Sequence, residues 1–150
     1  MSASTFKKAA SRLVLGLMIV QFIPLDRSNP PETSPVKAPA EIAAILEKSC
    51  FACHSYRTEW STPAYIAPFS WVASAKVSRG RNALNFSEWD TADPTAVAHR
   101  MRAIGKTVLE GSRHQPLYNA LNPQSGLSAA ESTLLMNWID SYDRETAQGI

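Results

Sequence analysis

The sequence predicts an all-α fold. Three observations carry this. Several segments repeat apolar residues at the three-to-four spacing of an amphipathic helix. These segments open on capping residues or on proline. No stretch alternates apolar and polar residues for long enough to make a strand. The chain has 150 residues, enough for one domain with one modest core. Its apolar share of 45 % is ordinary for a globular protein.

The first element is "MSASTFKKAASRLVLGLMIVQFIPLDRS". Lys7, Lys8 and Arg12 precede an apolar run from Leu13 to Ile23, the shape of an export signal. The run is short for a spanning helix, which wants about 20 apolar residues. No small-x-small cleavage site follows it. Residues 1–25 are therefore expected to stay attached as a signal anchor at the inner membrane. A cleaved signal peptide and a buried helix of the fold are the alternatives. The basic residues hold the N-terminus in the cytoplasm, which puts the remainder in the periplasm. Next comes "DRSNPPETSPVKAPA", with four prolines. Residues 26–39 read as an extended, semi-rigid linker, and residues 40–150 as the folded domain.

Four helices follow. In "AEIAAILEKSCFACHS", Ile42, Ile45 and Leu46 share one face. A second helix starts after Pro68 and is expected to break at Gly80. In the third, Asp93 can cap, Pro94 suits the first helical position, and Gly111 is the stop. Its stripe is Val97, Met101, Ile104 and Val108. The fourth opens on Ser128 and Glu131, a capping box, and its expected buried face is Leu134, Leu135, Trp138, Ile139 and Tyr142. The loops over 55–67 and 112–127 are long for so small a domain. Such loops are usually functional or ordered by something else, and a large apolar cofactor would supply the missing core.

Both cysteines of the chain fall in "CFACH", Cys50 to His54. C-x-x-C-H is the attachment pattern of c-type haem. Two thiols two residues apart can each bond a vinyl-derived carbon of a porphyrin, and the adjacent His54 can ligate the iron from below. Covalent attachment takes place on the oxidising side of the bacterial inner membrane, where the N-terminal signal would place this domain. Three plainer readings stand beside it. A thioredoxin-like redox pair needs a βαβ pattern, which the sequence does not show. A zinc site needs four ligands, and His99 and His114 lack finger spacing. A Cys50–Cys53 disulfide closes a tiny loop and stabilises little. The predicted fold is thus a small, c-type cytochrome-like helical domain wrapped around one covalent haem c, preceded by an anchor helix. A net charge of +2, with scattered basic residues, gives no footprint for nucleic acid.

The stretch "EKSCFACHSYRTEWSTPAYIAPFSWVASAKVSRGRNALNFSEWD" resembles the small membrane-anchored haem-binding domain family of bacteria. The residues that carry the likeness are Cys50 to Ser55, Trp60, Ile66 to Pro68, Ser70, Trp71, Gly80, Arg81 and Leu84 to Trp89. It extends over roughly residues 40–142 and implies a compact c-type haem domain, without implying a reaction. In one interval the chain departs from the pattern. Relatives carry a Met-Pro-Pro stretch before the C-terminal helix, then a Tyr and a His-Pro pair, with the Met as distal iron ligand. Here the interval from Gly111 to Tyr118 reads "SRHQPL". Arg113 stands at the Met place, His114 follows it, and Asn122 precedes Pro123 where the His would be.

His99, Met101, His114 and Met136 remain as candidates for the sixth iron ligand. At about 100° per residue, Met136 falls outside the arc of the last helix and is expected to face solvent. His99 lies opposite the stripe of its own helix. Met101 lies in the stripe, where Met is usually core packing. His114, in a loop near the departed Met, is the leading candidate beside His54. Arg113 and Arg81 are read as partners for haem propionates, and Trp60 and Trp71, with Trp89, as walls of the haem pocket.

A membrane-tethered mono-haem electron carrier, passing electrons between unidentified redox partners, is the first functional expectation. A peroxidase-type haem enzyme or a gas-binding sensor, each needing an open distal site, are the alternatives.

Overall fold

The computed structural model describes residues 3–89, 92–111 and 114–147. Arg113 lies outside the described residues. Among them all repetitive structure is helical, as the sequence predicts. The helices are α1 (Ala3–Val20), α2 (Ala40–Ser49), α3 (Phe51–His54), α4 (Phe69–Ala83), α5 (Pro94–Glu110), α6 (Pro116–Leu121) and α7 (Ala129–Ala147), with short 3-10 turns at Thr62–Tyr65 and Pro123–Ser125.

The caps form as the sequence implies. Asp93 accepts hydrogen bonds from the amides of Thr95 (2.9 Å) and Ala96 (3.3 Å), ahead of Pro94. This satisfies two amides that α5 itself cannot. Gly111 ends α5 at φ 57°, a conformation that costs a residue without Cβ nothing. Ser128 and Glu131 exchange bonds reciprocally, amide to carboxylate at 2.8 Å and amide to hydroxyl at 3.2 Å. Lys48, at the end of α2, then reaches the Glu131 carboxylate at 2.6 Å and the Gly126 carbonyl at 3.1 Å. One cap thereby ties two helices.

The core lies between α2, α5 and α7. Leu46, Val97, Met101 and Leu135 are fully shut from solvent, with Ile42, Phe86, Ile104 and Ile139 beside them. Each such side chain contributes about 1.5–3 kcal/mol on burial. The face of α7 differs from the expected one. Leu134 is partly exposed, whereas Met136 is half-buried and packs onto the core beside Gly105. The reason is that α7 touches both α5 and α2. Two neighbours widen its apolar face and centre it on Leu135 and Ile139.

Two further expectations are corrected. Helix α4 begins after Pro68 but does not break at Gly80; it runs on to Ala83. Gly80 instead lets α4 lie against α3, since a Cβ there would be 3.0 Å from the carbonyl carbon of Cys53. The proline-rich stretch is extended, yet it is not a free spacer. Its non-proline amides bond into the loop after α4: Thr33 and Ser34 to the Ser87 carbonyl, both at 3.2 Å, and Val36 to the Phe86 carbonyl at 2.8 Å. The Trp89 amide returns a 2.6 Å bond to Ser34. Glu32 accepts from Arg57 at 2.7 Å and from the Ser87 hydroxyl at 2.7 Å, which holds its carboxyl below the usual range. Prolines fix the extended path, and the donors between them dock it.

Helix α1 forms over the expected N-terminal segment and leaves its apolar side chains exposed. Among the described residues no helix is long and apolar enough to cross a membrane.

Candidate functional site

The end of α2 and the single turn of α3 bring Cys50, Cys53 and His54 to one surface. The turn closes through bonds from the Cys53 and His54 amides to the Cys50 carbonyl, at 3.1 and 3.0 Å. In front of it is a cavity of about 260 Å³. Leu84, Phe86, Ile104, Val108, Leu127 and Leu135 give it apolar walls from four different parts of the chain. Among the described residues, none on its lining is Asp, Glu, Lys or Arg.

His54 is held by its ring. Its Nδ1 lies 2.9 Å from the Leu84 carbonyl, which can only accept, so Nδ1 carries the proton and Nε2 keeps its lone pair. A backbone partner on the far nitrogen is how metal-binding histidines are oriented. Burial lowers the pKa of His54, which keeps the ring neutral, the form that ligates. The chain around it is fixed as well, since the Phe86 amide donates to the His54 carbonyl at 2.7 Å.

The two thiols are not bonded to each other. Burial pushes Cys50 up to about 12 and raises Cys53 too, the latter opposed by Lys76 and Arg81. At neutral pH both are protonated thiols, the opposite of the lowered pKa of a thioredoxin-like pair. Among the described residues no three of His, Cys, Asp and Glu stand close enough together to hold a metal ion by themselves.

His114 lines the same cavity and is exposed. Its ring centroid lies 6.1 Å from that of His54, with the planes 29° apart. The two imidazoles read as iron ligands from the sequence are therefore brought together. Tyr118 and Gln115 stand nearby on the lining, and Lys76 donates to Gln115 Oε1 at 2.7 Å. Burial raises the pKa of Tyr118, so it stays a neutral phenol. The Ser49 hydroxyl is buried on the lining without a hydrogen-bond partner. An orphaned polar atom facing an apolar cavity is a place for a ligand's polar group.

A family-level comparison bears on this geometry. A model of the haem-binding domain family matches residues 15–141. The chain belongs to the haem-binding domain family. The comparisons found no matching curated protein and no matching solved structure. For a haem-binding domain the donor set fits: a neutral, oriented imidazole, two thiols beside it, an apolar slot and an orphaned hydroxyl. Cys50, Cys53 and His54 would hold the group, with His114 across from them.

Other predicted site residues do not join this cavity. Arg81, read as a propionate partner, spends its guanidinium elsewhere. It donates to the carbonyls of Ser55 and Ser28 (both 2.9 Å), to Asn29 Oδ1 (2.7 Å) and to the Thr58 hydroxyl (3.1 Å). It is a clamp between the proline-rich stretch and the loop after α3. Trp60 is half-buried with an unpartnered indole N–H, and Trp71 is exposed; neither lines the cavity of the haem-binding domain. Trp89 is buried and stacks on Phe86 at 5.6 Å, supporting a cavity wall from behind. Met101 is in the core and off the lining, and His99 is exposed. Sequence reasoning missed the Leu84 carbonyl, because a backbone acceptor carries no residue signature. It also read Ile104 and Val108 as core stripe alone, although both face the cavity as well.

Proposed function

We propose that this haem-binding domain is a mono-haem c-type protein that transfers electrons on the outer side of the inner membrane. The observation that carries it is the convergence of Cys50, Cys53 and the Leu84-oriented His54 on one apolar cavity, with a second imidazole facing them. A neutral imidazole nitrogen is a good metal ligand, so both His54 and His114 could hold the iron of a bound haem. The His54 and His114 rings stand stacked on the lining of this one cavity, with centroids 6.1 Å apart. His114 would then hold the group together with His54, where the family resemblance leads one to expect a Met.

Bound haem supplies a one-electron ferric–ferrous couple. The chain's own residues do the rest. Leu84 fixes the His54 tautomer. The apolar walls keep water off the ring and lower the local dielectric. His114 would give the group a second imidazole, which would leave no site for substrate. An imidazole there lowers the reduction potential relative to a Met sulfur. Lys7, Lys8 and Arg12 on α1 favour a cytoplasmic N-terminus, with the domain in the periplasm and unidentified redox proteins as partners.

Electron paramagnetic resonance of the ferric protein tests this reading. The expected signal is low-spin, and His114→Ala should turn it high-spin and let the ferrous form bind CO readily. A high-spin wild-type signal with fast CO binding would move the assignment to a peroxidase-type enzyme or gas sensor. An unchanged low-spin spectrum in His114→Ala would remove His114 as ligand.

A further inference from the structure

The motif around Ile66 and Phe69 remains outside the haem site and is turned to solvent. Tyr65, Ile66, Phe69 and Val72 are 56, 51, 64 and 50 % exposed. They cover the 3-10 turn at Thr62–Tyr65 and the first turn of α4. Four large apolar side chains in eight consecutive positions, all half exposed or more, form a patch that calls for a partner.

The position of this patch identifies the partner. The Gln21 side chain, just past the end of α1, makes two bonds to the Ala67 peptide unit. It accepts from the Ala67 amide at 2.9 Å and donates to its carbonyl at 3.4 Å. Arg27 donates to the Ala64 carbonyl at 3.5 Å and lies 4.8 Å over the Tyr65 ring. The end of α1 is thus pinned to the middle of the patch. Before that pin, six large apolar side chains between Leu13 and Ile19 are exposed, and Phe22 and Ile23 are exposed just after it. Whatever bilayer receives them lies level with Tyr65–Val72. The apolar run is also short for a full crossing, so added apolar surface at the boundary makes up contact that α1 lacks. An aromatic ring with a guanidinium over it is the composition that settles at the headgroup level.

We propose that Tyr65, Ile66, Phe69 and Val72 form a second membrane contact, dipping into the outer-facing leaflet of the bilayer that holds α1. The inference rests on the anchoring reading above. Its consequence is a haem domain seated at a fixed attitude to the lipid, instead of swinging on a tether.

The test uses the full chain in vesicles of phosphatidylethanolamine and phosphatidylglycerol brominated near the headgroup end of the acyl chains. Phe69→Trp places a reporter in the patch. The extra emission over wild type should be mostly lost in brominated vesicles and kept in unbrominated ones. Hydrogen exchange of the wild-type chain over residues 65–72 should slow on adding vesicles, which covers the case in which the variant folds poorly. A chain that floats with vesicles yet keeps the added emission, or exchanges there at an unchanged rate, overturns the patch proposal and leaves the anchor standing. Dimers in place of quenching would assign the patch to a second copy and also overturn it. A chain that does not float overturns both.

Discussion

Gly80→Ala tests how α3 and α4 hold the attachment turn. A methyl group at Gly80 would overlap the Cys53 carbonyl oxygen and lie 3.0 Å from its carbon and 3.2 Å from the Cys53 Cβ. Two of these three atoms are backbone, so no side chain can swing away; α4 or α3 must shift. Overpacking of this kind costs about 1–3 kcal/mol. Replacing a helical glycine by alanine returns about 0.5–1 kcal/mol. The net is a loss of up to about 2.5 kcal/mol. With a urea slope of about 2 kcal/mol/M, the unfolding midpoint should fall by up to about 1.2 M at constant slope. The comparison is Gly105→Ala, in α5. There the new methyl meets Ile139 Cδ1 at 3.7 Å and Met136 Sδ at 3.8 Å, which is ordinary contact. That midpoint should hold or rise. The midpoints are compared on the haem-loaded fraction of each protein, since bound cofactor adds stability. The fraction of chains with attached haem should also fall in Gly80→Ala, because the displaced residue is Cys53. A Gly80→Ala midpoint at or above wild type would show that the close approach of the helices is not a constraint.

Ser128→Ala removes the hydroxyl half of the α7 cap and should cost about 1 kcal/mol by urea titration; no change would mean that Glu131 suffices alone. Lys48 and the Ser128 amide together hold the Glu131 carboxyl down to about 2. Its unfolded value is about 4.3. The folded value is the lower one, so the stabilisation is complete above about pH 4.3 and disappears as pH falls towards 2. The stability gap between wild type and Lys48→Met should shrink over that window; a gap that widens on acidification contradicts the pairing. Arg81→Met removes the donor to the Ser55 and Ser28 carbonyls and to the buried Thr58 hydroxyl, and should cost about 1–3 kcal/mol while leaving the haem spectrum unchanged; a spectral shift would return Arg81 to the haem site. Met101→Leu should keep the low-spin spectrum, because Met101 is off the cavity lining; its loss would make Met101 the ligand.

The helices and their caps were legible because capping and the 3.6-residue period are local properties. Asp93, Pro94, Gly111, Ser128 and Glu131 all act as a reading of neighbours implies. The closeness of Cys50, Cys53 and His54 was legible for the same reason: they sit within one turn of sequence, and the structure brings them to one cavity. What escaped depends on distant segments. The Leu84 carbonyl meets His54 across 30 positions and has no side-chain signature. The docked path of residues 32–36 depends on the loop at 86–89, which composition alone does not reveal. Conspicuous aromatics misled, too. Trp71 looks like a pocket wall by residue type, yet lies exposed beside an apolar patch. Arg81 looks like an anion partner, yet local carbonyls claim it first. In α7 the period was right but the centre of the face was set by a second neighbour, α2.

Extraction of the purified, full-length protein with acidified acetone, followed by mass measurement of the unfolded chain, tests the central claim most directly. The colour should stay with the protein. The chain should weigh one haem more than its sequence, and peptide mapping should place the added mass on the segment holding both Cys50 and Cys53. Haem that passes into the acetone, leaving a colourless chain at its sequence mass, would contradict covalent attachment through those cysteines.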